Sequence, residues 1–134
     1  MSSALVIEGL RKSYGPVVAV DELSLAVAAG EVVALLGPNG SGKTTAIRCM
    51  AGLLKPDSGT ITINGCDLHR QYRQCRRGFT YLPQRAEFPA QLSATEILRF
   101  HAQLRGLGTI EISQALRDSD LNGCLLYTSP SPRD

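Results

Sequence analysis

The sequence lacks several features that would place it in a specialised class. No apolar run in its 134 residues approaches the roughly 18 residues of a membrane-spanning helix. The first residues, 1–4, show no basic segment followed by an apolar core, so we expect no signal peptide. The formal net charge of +2 is too small to indicate a nucleic-acid or membrane-surface partner. What remains is an ordinary globular protein, whose length suits one domain.

Metal-binding patterns, internal repeats and charge blocks are also missing. The cysteines form no C-x-x-C pair and no cysteine–histidine spacing, so we expect reduced, structural thiols in a cytoplasmic protein. We assign no chemical role to His69 or His101. The cysteines are Cys49, Cys66, Cys75 and Cys124.

One stretch carries a specific motif. Residues 37–45 read Gly-Pro-Asn-Gly-Ser-Gly-Lys-Thr-Thr and fit G-x-x-x-x-G-K-[ST], the phosphate-binding loop (P-loop). The apolar run 31–36 before it predicts a buried strand, and residues 45–51, closed by Gly52, predict a helix. This context favours a P-loop over the alternative, a glycine-rich turn with a stray lysine.

The residue types explain how such a loop would hold phosphate. Glycines let the backbone approach an anion, successive N–H groups form a nest, and the helix N-terminus adds about half a positive charge. We expect Lys43 to reach the β- and γ-phosphates, Thr44 to ligate Mg²⁺ and Thr45 to support the α-phosphate. The loop thus predicts a bound Mg²⁺–nucleoside triphosphate. The predicted binding residues are Gly37, Pro38, Asn39, Gly40, Ser41, Gly42, Lys43, Thr44 and Thr45.

Apolar and turn-forming residues predict the other elements. Strands are expected at 4–8, 17–27, 60–64 and 79–82, the second broken at Asp21–Glu22. Turns are expected at 15–16 and 55–59. A short polar helix within 66–77 brings four arginines near one side, either as a solvated face or as a contact surface for a partner. These are Arg70, Arg73, Arg76 and Arg77.

The C-terminal third predicts helices. Residues 93–96 read Ser-Ala-Thr-Glu, a capping box in which the serine caps the first turn and the glutamate reaches back. Ile97, His101 and Leu104 share one stripe, and Gly106 ends this helix. A further helix is expected to begin near residue 109.

Together these features resemble an ATP-binding-cassette (ABC) ATPase, the nucleotide-binding subunit or domain of an ABC transporter. Tyr14, 29 residues before Lys43, stands where the family has its A-loop aromatic, and residues 37–45 match the family's Walker A sequence. Residues 53–65 resemble the segment after the family's first helix. Residues 81–84, Tyr-Leu-Pro-Gln, resemble the Q-loop, with Gln84 lying 41 residues after Lys43. The resemblance covers about residues 4–118.

The resemblance implies an α/β fold, a truncated P-loop NTPase of ABC type. It would contain an N-terminal antiparallel β part, the Walker A strand and helix, and the start of a helical subdomain. The implied divisions are a nucleotide-binding core over 1–91 and a helical subdomain from 92 to 123. Tyr14 would stack on adenine, or else only pack at a strand end. Gln84 would contact Mg²⁺ or the attacking water and share a catalytic role with Lys43, or else face solvent as a loop residue.

The resemblance also implies a function for an intact parent protein: ATP hydrolysis that powers transport across a membrane. Its partners would be a membrane permease and a second ATPase subunit in a head-to-tail dimer, with no nucleic acid. It would lie on the cytoplasmic side of the cell membrane through the permease. Residues 92–107 resemble exporter-type ATPases. The alternatives are a soluble ABC ATPase of translation or DNA repair, and an unrelated P-loop kinase or GTPase.

Several family motifs are absent from these 134 residues: the Leu-Ser-Gly-Gly-Gln signature, the Walker B acids, the D-loop and the switch histidine. We therefore expect no ATP turnover by this chain alone, and we expect residues 1–123 to express poorly or bind nucleotide weakly. Residues 124–134 resemble the translation of a sequencing-library adapter. They are expected to be a non-native tail, the alternative being a natural disordered terminus rich in proline and serine.

Overall fold

The computed structural model describes residues 2–119 and divides the chain into two compact units, Met1–Leu82 and Pro83–Asp134. The sequence-based division was placed after residue 91. The adapter-like string 124–134 lies outside the described residues. Within the described part, no helix is both long and apolar enough to cross a membrane.

An antiparallel sheet of four strands forms the first unit, in the order β2-β1-β3-β4. The central strand, β1, pairs with β2 on one side and with β3 on the other, so that Ile7 faces Leu25 and Ile61. Ile7, Leu10 and Ile61 are fully buried. The alternation of apolar and polar residues in these segments is therefore the alternation of the two sheet faces. The strands are β1 Ser3–Tyr14, β2 Val17–Ala28, β3 Ser58–Ile63 and β4 Cys66–Asp67.

The predicted break at Asp21–Glu22 is a bulge within a continuous strand. Leu10 pairs with Leu23 while Lys12 pairs with Val20, so β2 carries one extra residue there. Glu22 takes a left-handed backbone conformation, with φ of 52°. The extra residue turns the strand locally without ending its pairing with β1.

Helix α1, Lys43–Met50, packs on this sheet through Ala46 and Cys49, both buried in the same cluster as Ile7 and Ile61. The helix is followed by Ala51 and then Gly52 with φ of 70°, as the sequence predicted. Burial raises the pKa of the Cys49 thiol, which suits the predicted role of a reduced structural cysteine.

Two predicted strands are wrong as elements of this structure. Residues 31–36 and 79–82 form no regular strand. Val32 is 96% exposed and Leu36 is 87% exposed, although both were expected in a buried strand. A strand is stable only where a neighbour satisfies its N–H and C=O groups, and no segment among residues 2–119 pairs with either stretch.

The polar segment after β4 contains less helix than expected. Helix α2 spans Tyr72–Cys75 and a 3₁₀ helix follows at Arg76–Gly78. The Asp67 carboxylate accepts hydrogen bonds from the N–H groups of His69 and Arg70, at 2.9 and 3.0 Å, and these bonds lower its pKa. The four arginines of this segment are all exposed.

The second unit contains helices α3, Ala94–Arg105, and α4, Thr109–Asp118. The predicted capping box is confirmed: Ser93 N–H donates to the Glu96 carboxylate at 2.7 Å, and Glu96 N–H donates to Ser93 Oγ at 3.3 Å. The predicted apolar stripe is wrong, because the buried face of α3 is displaced from it by about one residue. Ala102 is buried, whereas Leu104 is 69% exposed.

Candidate functional site

The P-loop lies between β2 and α1 in the first unit. A turn closes β2, where Glu31 N–H donates to the Ala28 carbonyl at 3.1 Å. The loop itself is tied by a bond from Ser41 N–H to the Pro38 carbonyl at 3.2 Å, and α1 begins at Lys43. The loop therefore leads directly into a helix N-terminus, whose partial positive charge favours an anion.

Gly42 shows why this loop requires glycine. Its φ of 91° is a conformation that residues with a side chain rarely adopt. A Cβ atom added at this position would lie 2.0 Å from the carbonyl oxygen of Ala19 in β2. Any side chain would therefore force the loop away from the sheet and displace the start of α1.

Lys43 turns its ammonium group onto the loop. Its Nζ donates to the Gly37 carbonyl, to the Pro38 carbonyl at 2.7 Å and to Ser41 Oγ at 3.3 Å. A positive charge is thus held within the curve of the loop by neutral acceptors. A phosphate group offers stronger acceptors, because hydrogen bonds between charged groups are shorter and about twice as strong as neutral ones.

The two threonines and the neighbouring space fit a ligand at the same end of α1. Thr44 is exposed in the first turn and Thr45 is half-buried. A cleft of about 520 Å³ lies between the loop and the bulged part of β2, with Gly37 and Lys43 in its wall. The hydroxyl of Thr44 is an oxygen donor of the kind that Mg²⁺ prefers. Among residues 2–119 no three histidine, cysteine or acidic side chains gather into a metal site.

Tyr14 is the last residue of β1, directly before the Gly15–Pro16 turn. Its side chain is half exposed, and Lys12 Nζ lies 5.6 Å from the centre of its ring. This distance is within the range of a cation–π interaction. An aromatic ring partly open to solvent is what a stacking platform requires.

One interaction beside Tyr14 was not predicted from the sequence, which indicates a turn at 55–59 and a family resemblance over 53–65 but no contact with β1. The Asp57 carboxylate accepts hydrogen bonds from the N–H and the Oγ of Ser13, at 2.7 and 2.9 Å. The backbone hydrogen bond is the main reason that the pKa of Asp57 lies below its usual range. A single acidic residue in a turn gave no sequence signal for this contact, since it depends on pairing with a strand 44 residues away.

Gln84 belongs to the second unit, where it lies exposed in a bend after Leu82 and Pro83. The structure therefore brings the P-loop residues together around Lys43 and places Tyr14 at the end of β1. It defines no distance between Gln84 and the P-loop, because the two lie in different units. The role assigned to Gln84 stays a prediction.

A glycine-rich loop that curves around a lysine and opens into a helix defines a P-loop fold. Comparison with known proteins then assigns the family: the sequence model of the ABC transporter family matches residues 20–127. The chain belongs to the ABC transporter family. This assignment excludes the unrelated P-loop kinase or GTPase that the sequence left open.

Curated relatives include proteins of both transport directions. The chain is 41% identical over 106 residues to the Nod factor export ATP-binding protein I of Mesorhizobium japonicum, covering 79% of this chain and 31% of that protein. It is also 41% identical over 112 residues to the sulfate/thiosulfate import ATP-binding protein CysA of Mycobacterium bovis, covering 84% of this chain and 32% of that protein. The chain thus spans about a third of the length of these relatives.

Solved structures agree with the fold. A structure described as the ATP-binding subunit of an ABC transporter superposes with a TM-score of 0.81 at 33% identity. The superposition covers 92% of this chain and 53% of that chain. The expected fold class, a truncated P-loop NTPase of ABC type with an N-terminal antiparallel β part, is confirmed.

Proposed function

We propose that this chain is the N-terminal part of the ATP-binding subunit or domain of an ABC transporter, which binds Mg²⁺–ATP and hydrolyses it to power transport. The P-loop carries the proposal: Lys43 Nζ sits against the Gly37 and Pro38 carbonyls at the start of α1. A triphosphate would replace these carbonyls as the partner of the ammonium group. Relatives named for export and for import match equally well, so the exporter-like character of residues 92–107 stays a prediction.

Each binding residue has a distinct part in this proposal. The amides of the loop from Gly37 to Gly42 hold phosphate oxygens, and Thr44 offers its hydroxyl to Mg²⁺. Tyr14 stacks on adenine without reading its hydrogen-bonding edge. Gln84 positions Mg²⁺ or the attacking water, because phosphoryl transfer depends mainly on positioning and on stabilising charge.

Turnover by this chain alone is not expected, since its sequence contains neither the Walker B acids nor the signature motif. We propose that the parent protein supplies both, forms a head-to-tail dimer and docks on a membrane permease from the cytoplasmic side. The soluble alternative, an ABC ATPase of translation or DNA repair, finds no support in the relatives, which are named for transport.

Binding of a fluorescent ATP analogue to the full-length protein tests the proposal. Lys43→Ala should weaken binding about 10- to 150-fold, because it removes hydrogen bonds to charged phosphates worth about 1.5–3 kcal/mol. Lys55→Ala is the matched control: it removes the same charge from an exposed position in the turn after α1. Equal losses in the two variants, or no loss in Lys43→Ala, would refute the P-loop as the binding site.

A further inference from the structure

The end of β1 that carries Tyr14 lacks a neighbour on one side. The pairing of β1 with β3 ends at Arg11 opposite Ser58, whereas its pairing with β2 continues to Tyr14 opposite Val17. Residues 12–14 therefore extend beyond β3, and no strand among residues 2–119 pairs with their backbone on that side. The backbone next to Tyr14 is therefore held by β2 on one side and needs another partner on the side where β3 has ended.

Asp57, the residue directly before β3, takes the place of the missing strand. Its carboxylate accepts the Ser13 N–H at 2.7 Å and the Ser13 hydroxyl at 2.9 Å, next to Tyr14 in the chain. Its other oxygen lies 3.5 Å from Lys12 Nζ. A carboxylate that accepts a backbone N–H forms a stronger bond than a carbonyl would in the same place.

Lys12 extends this contact to the aromatic ring. The same Nζ that faces Asp57 lies 5.6 Å from the centre of the Tyr14 ring, and the Lys12 side chain is only 17% exposed. Asp57 therefore holds both the backbone before Tyr14 and the cation on one face of its ring. A base that stacks on Tyr14 would therefore take the face opposite Lys12.

Asp57 is itself held firmly. Its N–H donates to the Arg11 carbonyl at 2.8 Å, and the preceding Pro56 is buried. Gly59 has a φ of 94° and approaches β1 so closely that an added Cβ would lie 2.5 Å from the Gly9 carbonyl oxygen. No side chain fits at this position, so the turn at residues 55–59, which carries Asp57, is fixed against β1.

The residues just before this turn are also hydrogen-bonded to α1, the helix that follows the P-loop. The N–H groups of Leu53 and Leu54 donate to the Arg48 carbonyl in the last turn of α1, at 3.0 and 3.3 Å. The turn thus connects the helix that begins at Lys43 with the end of β1.

We propose that Asp57 is a positioning residue for nucleotide binding: through Ser13 and Lys12 it holds the Tyr14 ring in register with the phosphate-binding helix. The proposal rests on the proposed role of Tyr14 as the adenine platform. It assigns Asp57 to recognition of the base and gives it no part in holding the phosphates.

The test compares two ligands on the full-length protein: ATP, and inorganic tripolyphosphate, which has no base. Base–aromatic stacking is worth about 1–3 kcal/mol, so Tyr14→Ala should lower the preference for ATP over tripolyphosphate about 5- to 150-fold. Asp57→Ala should lower this preference by a similar factor and leave tripolyphosphate binding unchanged. The double variant should lose little more than either single one, because the two residues act through one contact.

Two further variants separate positioning from general damage. Asp57→Asn keeps an oxygen that accepts from Ser13 and loses the charge facing Lys12, so it should restore part of the preference. Glu8→Ala is the matched control: its carboxylate also links β1 to β3, through a bond from Thr60 Oγ1 at 3.3 Å, but lies away from Tyr14 in the strand. It should leave the preference unchanged.

The outcomes distinguish the two proposals. If Tyr14→Ala lowers the preference and Asp57→Ala does not, the positioning role is overturned and the adenine platform stands. If Asp57→Ala weakens ATP and tripolyphosphate equally, its role is structural only, and the positioning role is again overturned. If Tyr14→Ala leaves the preference unchanged, the proposed adenine platform fails and the role of Asp57 fails with it, while Lys43→Ala still reports on phosphate binding.

Discussion

The two sides of the proposed nucleotide site are stabilised in different ways. On the Tyr14 side, β1 lies between two strands and buries Ile7 and Leu10, and a charged contact continues the support where β3 ends. On the Lys43 side, α1 is well packed, but no strand in the described part of the chain lies beside the segment 31–36 that leads into the loop. Within residues 2–119, the Tyr14 side is supported by two neighbouring strands and by Asp57, whereas the Lys43 side is supported by α1 and by the close approach of Gly42 to β2.

The contrast follows from the different ways in which hairpin strands and parallel strands are paired. Hairpin strands such as β1 and β2 pair with their neighbours in sequence, so a short chain contains everything that they need. Parallel strands of an α/β sheet pair through crossovers, and both of their faces are covered by other elements. An apolar run such as 31–36 then stays unpaired unless other parts of the protein lie beside it. An apolar groove of about 290 Å³ also lies between α1 and residues 78–81.

The largest expected difference between the two sides is in amide hydrogen exchange of this chain. Paired amides near Ile7 in β1 should exchange at least about 10³-fold more slowly than unprotected ones, since they open only with global unfolding. Amides of residues 31–36 should exchange close to the unprotected rate. Mass spectrometry of the exchanged peptides measures both.

Amide hydrogen exchange of the full-length protein repeats this comparison with the rest of the protein present. If 31–36 becomes a paired strand there, its protection should rise to that of β1. Strong protection of 31–36 already in the 134-residue chain would contradict the contrast between the two sides.

Core substitutions give the next largest effect. Ile61→Ala should cost about 3 kcal/mol in the free energy of unfolding, because the side chain is fully buried in the core cluster that also contains Ile7 and Cys49. Val32→Ala should change it by no more than about 0.5 kcal/mol in this chain, since Val32 is exposed. Urea denaturation of the two variants measures the difference, and similar losses would show that 31–36 is packed after all.

The helical unit offers a smaller, local test of the same idea. Ser93→Ala should lower the stability of α3 by about 1 kcal/mol, because it removes the cap on Glu96 N–H. Ser93→Thr keeps a hydroxyl in the same place and should cost only a few tenths of that value. Circular dichroism during thermal unfolding detects the change, and equal effects of the two substitutions would show that the cap contributes nothing.

Features set by nearby residues could be predicted from the sequence. The capping box at Ser93, the P-loop at 37–45 and the glycine after α1 each depend on contacts within a few residues, and the structure contains all three. The β1–β2 strands were also foreseen, although the bulge at Glu22 was read as a break. A polar pair inside an apolar alternation can end a strand or form a bulge in it, and only the pairing with the partner strand decides which.

Features that depend on distant residues were missed. The strands at 31–36 and 79–82 were assigned from composition, but a strand also needs a neighbour, which composition does not report. The contact between Asp57 and Ser13 joins residues 44 positions apart, and neither the turn pattern at 55–59 nor the family resemblance of residues 53–65 indicates it. The packed face of α3 is centred on Ala102 because α4 lies against that side, which the stripe of larger residues did not show.

The smallest expected effect is the pH dependence of stability that arises from Asp57, on the Tyr14 side of the proposed site. The bond from Ser13 N–H holds the pKa of Asp57 below its usual value of about 3.9. Ionised Asp57 therefore stabilises the folded state above that pH, and this contribution is lost as the pH falls through the lowered pKa. Solvent screening keeps the effect small, because the carboxylate is exposed. Asp57→Asn should remove this part of the acid-side slope in unfolding experiments between neutral pH and about pH 3, and an unchanged slope would show that the Asp57–Ser13 contact does not persist in solution.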